Sequence, residues 1–155
     1  MNINELLKSL SALNSEFAYL VKKTGINRYD DLSQIEADNN DPDQLLLIVE
    51  LRRVMLNISD ASDRISYLQK PIKGEYVLHK NSRGRYGCEA HEYTCGNSIE
   101  YYAYDDWAYD DLGGHYRWII SRVEHDGDDY YIVGSNSFSS DGNNIPLEGL
   151  RIRIR

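Results

Sequence analysis

Between Lys70 and Lys73 the apolar periodicity of this chain changes from helical to strand-like, and that switch limits the fold more than any other feature. Before it, Ile3, Leu6, Leu10, Leu13, Phe17 and Leu20 alternate spacings of three and four, which places them on one stripe of a helix. Gly25 follows Lys22 and Lys23, a stop signal with cations at the negative end of the helix dipole. A second run opens at Asp41, an N-cap, with Pro42 at the first helical position. Leu47, Leu51, Val54, Ile58, Ala61, Ile65 and Leu68 keep the same alternation up to Pro71. Two matched stripes predict an antiparallel helical hairpin. A short helix is expected around Leu32 and Ile35.

The stripes read first as intramolecular core. Leu45, Leu46, Ile48, Val49, Met55 and Leu56 widen the apolar face beyond a two-helix seam, so a second surface must cover it. That surface is either the C-terminal half or a second subunit. In the second case Leu47, Leu51, Met55 and Ile58 form the seam of a homodimer.

After Pro71 the chain breaks into short runs rich in Tyr, Ile and Val, at residues 74–78, 86–94, 98–104, 116–124, 129–133 and 150–155. Turn clusters such as Asn81-Ser82-Arg83-Gly84, Cys95-Gly96-Asn97 and Asp126-Gly127-Asp128 separate them. Arg151-Ile152-Arg153-Ile154-Arg155 alternates strictly, burying one face and presenting three cations on the other. Five or six short strands are too few for a sandwich and suit a small, strongly bent antiparallel β-barrel. The expected fold is therefore α+β. A helical hairpin over residues 1–71 precedes a small barrel over residues 72–155, the two packed together as one unit.

A charge argument bears on function. The chain carries a formal −8, which disfavours direct binding to nucleic acid or an anionic membrane, since both attractions need Lys and Arg. Between Tyr86 and Glu148 thirteen acids face only Arg117 and Arg122, a local −11. Tyr101, Tyr102, Tyr104, Asp105, Asp106, Trp107, Tyr109, Asp110 and Asp111 concentrate aromatic rings and carboxylates, and Asp126, Asp128 and Asp129 add a second acidic turn. Rings supply contact area at low entropic cost, and carboxylates attract cations. These twelve residues are the expected partner-binding face, directed at a basic protein surface.

Other chemistry is less well supported. His79, Cys88, His91 and Cys95 are zinc-type ligands, but in a single strand over 86–94 Cys88 and His91 would face opposite sides. Ordinary packing is the reading for them. Asp105, Asp106, Asp110 and Asp111 with His115 or His125 could serve a metal-dependent hydrolase, yet nothing fixes their geometry. No nucleophile motif or phosphate loop is present, so neither catalysis nor a cofactor is expected. Two cysteines suit a reducing cytosol, no run of about 18 apolar residues occurs, and the first residues lack a basic n-region. The expected location is the cytoplasm of a bacterial cell or infected host.

Two resemblances refine this. Tyr102-Ala103-Tyr104-Asp105-Asp106-Trp107, Arg117-Trp118-Ile119 and Gly142-Asn143-Asn144-Ile145-Pro146-Leu147 resemble, in order, a Src-homology-type barrel. In that family such segments line a groove for Pro-rich basic peptides, which implies a peptide-binding or scaffolding adaptor. Leu147-Glu148-Gly149-Leu150 stands where the family has an aromatic pair. The ending Leu147 to Ile154, with Cys95-Gly96-Asn97-Ser98-Ile99-Glu100 and Trp118, is more similar to an uncharacterised small domain of Gram-positive bacteria and their phages and plasmids. A mobile-element setting implies a particular basic partner, the nucleic-acid channel of an RNA-guided defence nuclease. The expectation is then an anti-CRISPR-type inhibitor whose carboxylates stand in for phosphates.

Overall fold

The computed structural model describes residues 1–26, 34–105, 114–139 and 141–155. The expected helix around Leu32 falls largely on residues 27–33, outside that set. The chain divides into two compact units, Met1–Lys70 and Pro71–Arg155.

The first unit holds α1 (Ile3–Thr24) and α2 (Pro42–Gln69). Asn2 and Glu5 form a reciprocal capping box at the start of α1, each side chain accepting from the other residue's backbone N–H at 2.9 Å. At its end Gly25 takes φ 68°, a left-handed conformation that suits glycine, and its N–H reaches the Val21 carbonyl. Asp41 caps α2 by accepting from the N–H groups of Asp43 and Gln44, with Pro42 in the first turn. The stop at Gly25 and the start at Asp41 expected from the sequence are therefore present, and the Asn2 cap is a further one.

The packing face of the hairpin differs from the expected stripes. On α1 the half-buried positions are Leu7, Leu10, Ser11, Asn14, Phe17, Val21 and Thr24, and no α1 residue is fully buried. Ile3, Leu6, Leu13 and Leu20 stay exposed. On α2 the buried positions are Ser59, Ser62 and Ile65, whereas Leu47, Leu51, Val54 and Leu68 are exposed. The reason is local: small serines on α2 let α1 approach there, and polar contacts fix the approach. Asn14 Nδ2 donates to Ser66 Oγ at 2.9 Å, and Gln69 Nε2 donates to Ser11 Oγ. Between these helices lies an open hollow of about 470 Å³, lined in part by Ala18, Val21, Ser59, Ser62 and Ser66.

The second unit is antiparallel β. Its strands are β1 (Gly74–Val77), β2 (His79–Lys80), β3 (Tyr86–Cys88), β4 (His91–Glu92), β5 (Ser98–Asp105), β6 (His115–His125), β7 (Tyr130–Ile132) and β8 (Arg151–Ile154), with a 3₁₀ turn at Ser135–Phe138. A five-stranded sheet runs β1-β8-β5-β6-β7 and a three-stranded one β2-β3-β4. The α+β class stands. The sheets are not closed into a barrel: among the described residues β1 and β7 are free edges of the larger sheet. Leu78 separates β1 from β2, so the chain passes from one sheet to the other there.

The expected run over residues 86–94 is two strands joined by a tight turn at Glu89-Ala90. Gly87 permits this pairing, because a Cβ there would lie 2.9 Å from the His91 carbonyl oxygen. The core comprises Leu78, Tyr86, Tyr93, Ile99, Tyr101, Ala103, Ile119, Val123, Ile132, Leu147, Leu150 and Ile152. Ile99, Tyr101 and Ala103 are alternate residues of β5, so one face of the sheet is core and the other is free for function.

Candidate functional site

Strand alternation divides the acidic-aromatic segment between two faces. Tyr102 and Tyr104 project from the outer face of β5, and register sets them opposite Trp118 and Tyr116 of β6. Four rings form a contiguous patch: Tyr104–Tyr116 centroids lie 5.2 Å apart, Tyr102–Tyr116 5.6 Å and Tyr102–Trp118 5.2 Å. On the other side of β5, β8 adds arginines to the same face. The Arg151 guanidinium lies 5.0 Å from the Tyr102 ring and 5.4 Å from Trp118, and that of Arg153 lies 4.6 Å from Trp118. Tyr104, Tyr116 and Ile120 are exposed. Beside Arg151 the surface continues into an open cleft of about 550 Å³ lined in part by Glu75, Val77, His79 and Cys88.

Sequence reasoning left Tyr116, Arg151 and Arg153 out of the partner face and met Trp118 only through the Src-homology-type resemblance. The Arg-Ile-Arg alternation showed that three cations share a face. It could not show that β8 inserts beside β5, which is a long-range pairing.

The inner face takes two residues that the sequence assigned to the partner surface. Tyr101 and Asp105 are 0% and 1% exposed, so neither meets a partner from the outside. Asp105 forms an ion pair with Arg117, which stands on the same face of β6. Among the described residues the buried Tyr101 hydroxyl has no hydrogen-bond partner, and burial pushes its pKa up to about 12. Tyr101→Phe should therefore hold or raise stability, by up to about 1 kcal/mol, because the phenol gives up water without replacement. A lowered denaturant midpoint would show that the hydroxyl has a partner. Asp106, Trp107, Tyr109, Asp110 and Asp111 lie outside the described residues.

The acidic turn between β6 and β7 is largely self-satisfied. Asp126 Oδ1 accepts from the N–H groups of Asp128 and Asp129 at 3.0 Å each, which holds its carboxyl below the usual range. Asp129 pairs with Lys80 at 2.7 Å, and that contact lowers its pKa. Asp128 is exposed. Elsewhere Glu92 meets Arg83 and Arg85, Glu75 meets Arg151, Glu124 meets Arg122, and Glu100 lies between Arg153 and Arg155. The segment charge of −11 is thus offset by bases that folding brings in from residues 80–85 and 151–155. Over residues 71–155 fourteen acids face nine Lys and Arg, a formal −5.

The zinc-type set is dispersed. Contrary to the single strand expected over 86–94, Cys88 and His91 lie on two strands and are directly paired across the β3–β4 turn. His79 Nδ1 contacts Glu148 at 2.8 Å, the His91 ring meets the edge of Tyr93, and Cys95 is an exposed turn residue. Among the described residues no three His, Cys, Asp or Glu side chains are grouped to hold a metal. No described helix is long and apolar enough to cross a membrane.

A model of a domain of unknown function, DUF5348, matches residues 75–154, which is slightly more than half of the chain. The chain belongs to that family. The matched span runs from β1 to the end of β8, so the DUF5348 domain contains the whole aromatic–arginine face. The expectation of an uncharacterised C-terminal domain agrees with this match. No curated protein and no solved structure matches the chain.

Proposed function

We propose that this DUF5348 protein is a protein-binding module whose contact face is the outer surface of the five-stranded sheet. One observation carries the reading: Tyr102, Tyr104, Tyr116 and Trp118 form one patch with Arg151 and Arg153 against it. Tyr, Trp and Arg are the residue types that dominate interface hot spots: the rings give large contact area with few rotors to freeze, and the planar guanidinium stacks and hydrogen-bonds in a fixed fork. A net −8 favours approach of a basic partner. The face also has the rings for stacking single-stranded nucleic acid, but its arginines are ion-paired and the unit is acidic. Protein is the better-supported ligand. Mimicry of nucleic acid against a defence nuclease would be a narrower form of the same module. It needs rows of unpaired carboxylates, and most described acids of the sheet unit have cationic partners.

A photo-crosslinking amino acid at Tyr116, with Ser137 as control position, tests the proposal in cells. One protein should crosslink from position 116 and not from 137. Trp118→Ala should weaken that interaction by at least about 2 kcal/mol, roughly thirtyfold, while leaving the melting temperature near the parent's. Equal crosslinking from both positions, or tight binding of a labelled oligothymidine that Trp118→Ala abolishes, would refute the protein-binding reading.

A further inference from the structure

We infer that the N-terminal half of α2 is an interface for a second copy of this chain, paired antiparallel about Leu51. Asn14 contacts Ser66 and Ser11 contacts Gln69, so position n of α1 faces position 80 − n of α2. Val21 and Ser59 line the same interhelical hollow, in agreement with that offset. α1 ends at Thr24, opposite residue 56. The first fourteen residues of α2 therefore extend past α1, and no α1 position stands opposite them.

That overhang is the most apolar part of the helix. Leu45, Leu46, Leu47, Val49, Leu51 and Val54 are each between 40% and 62% exposed. Of the three-four repeat, Ile58, Ala61, Ile65 and Leu68 lie in the overlapped part, where Ser59, Ser62 and Ser66 also meet α1 or its hollow, while Leu47, Leu51 and Val54 lie beyond the reach of α1. A three-four repeat is the pattern that packs against another helix, because 3.5-residue spacing keeps one seam in register over several turns.

The overhang is also its own complement. In an antiparallel pair centred on Leu51, residue i of one helix meets residue 102 − i of the other. Leu47 then meets Met55 of the second copy, Leu51 meets Leu51, and Ile48 meets Val54. Glu50 meets Arg52 on both sides of the axis. Along the central seam, residues 47, 48, 51, 54 and 55, apolar positions align with apolar ones and the flanking charges are opposite in sign, while at the seam's ends Ile58 falls opposite Gln44. A two-fold axis requires this self-complementarity, and a surface evolved for a foreign helix has no need of it. A second copy is thus the occupant that the sequence of the patch fits.

Sedimentation and light scattering on the full chain test this. At about 100 µM, ample for a micromolar dimer, the mass should be twice the 17.9 kDa of one chain. Glu50→Arg or Arg52→Glu alone should weaken dimerisation about tenfold or more, through like charges facing each other. The double variant E50R/R52E should restore it, since the pair is reversed and the geometry kept. Glu50 is exposed and pairs with Arg53 of its own helix at 2.8 Å, and Arg52 is half-buried, so each variant is read only where circular dichroism is unchanged. Leu51→Cys, with Cys88 and Cys95 replaced by Ser, should give a disulfide-linked dimer on mild oxidation, because the two positions meet at the axis. A parent protein that stays monomeric would overturn the inference and assign the patch to the chain's own sheet unit or a foreign protein. A dimer indifferent to these charge changes, or not restored by the double swap, would also overturn it, placing the interface elsewhere or in another register.

Discussion

Glu100→Ala should be the most damaging single truncation of a charged side chain in the sheet unit, costing about 3–5 kcal/mol and lowering its melting temperature by on the order of 10 °C or more. Glu100 is 2% exposed and pairs with both Arg153 and Arg155, whose side chains are themselves mostly buried. It stands opposite Arg153 in the β5–β8 register, so it joins the closing strand to the middle of the sheet. Truncation leaves two guanidinium groups poorly solvated and without their carboxylate. Replacing Glu100 and Arg153 together by Met should recover much of the loss, because the cost lies in the uncompensated charge more than in the absent bond. Equal destabilisation by the single and double variants would contradict that account.

The same group sets an acid limit. Burial raises the Glu100 carboxyl, but hydrogen bonds and charge from Arg153 and Arg155 outweigh it, so its pKa lies below the ordinary 4.5. A carboxyl depressed in the folded state stabilises the fold above its unfolded pKa and loses that contribution as pH falls through the folded value. The parent's stability should therefore drop below about pH 4.5 more steeply than that of Glu100→Ala. Parallel acid limbs for the two proteins would show that the carboxylate carries no such linkage.

Arg117→Ala has the second large effect, about 2–4 kcal/mol, because it takes the ion-pair partner from the Asp105 carboxylate, which is 1% exposed. Asp105→Asn keeps the shape and removes the charge, so it should cost less. The two changes should be strongly non-additive, with a coupling of about 1–3 kcal/mol in denaturant midpoints. Additive effects would mean that Asp105 is held by other groups. The result also separates Asp105 from the solvent-facing acids with which the sequence groups it.

Helix positions and strand positions were legible for the same reason: both depend on local spacing and on caps that act within a few residues. Asn2, Gly25, Asp41 and Pro42 bound the helices through contacts to their own backbone neighbours. β5, β6 and β8 appear where Tyr, Ile and Val alternate with polar residues. Three things were decided only by the tertiary structure. Which stripe of each helix faces the other depended on where serines permit close approach, and hydrophobicity alone cannot rank those faces. Whether Asp105 is a surface acid or a buried ion-pair partner depended on its face in β5, which one residue of register would invert. The charge of the site depended most on tertiary structure. In the sequence Arg151, Arg153 and Arg155 stand about fifty positions from Glu100 and Tyr102 and more than thirty from Trp118. Pairing of β8 with β5 makes them neighbours, turning an apparently acidic segment into an aromatic and arginine face whose charges largely cancel.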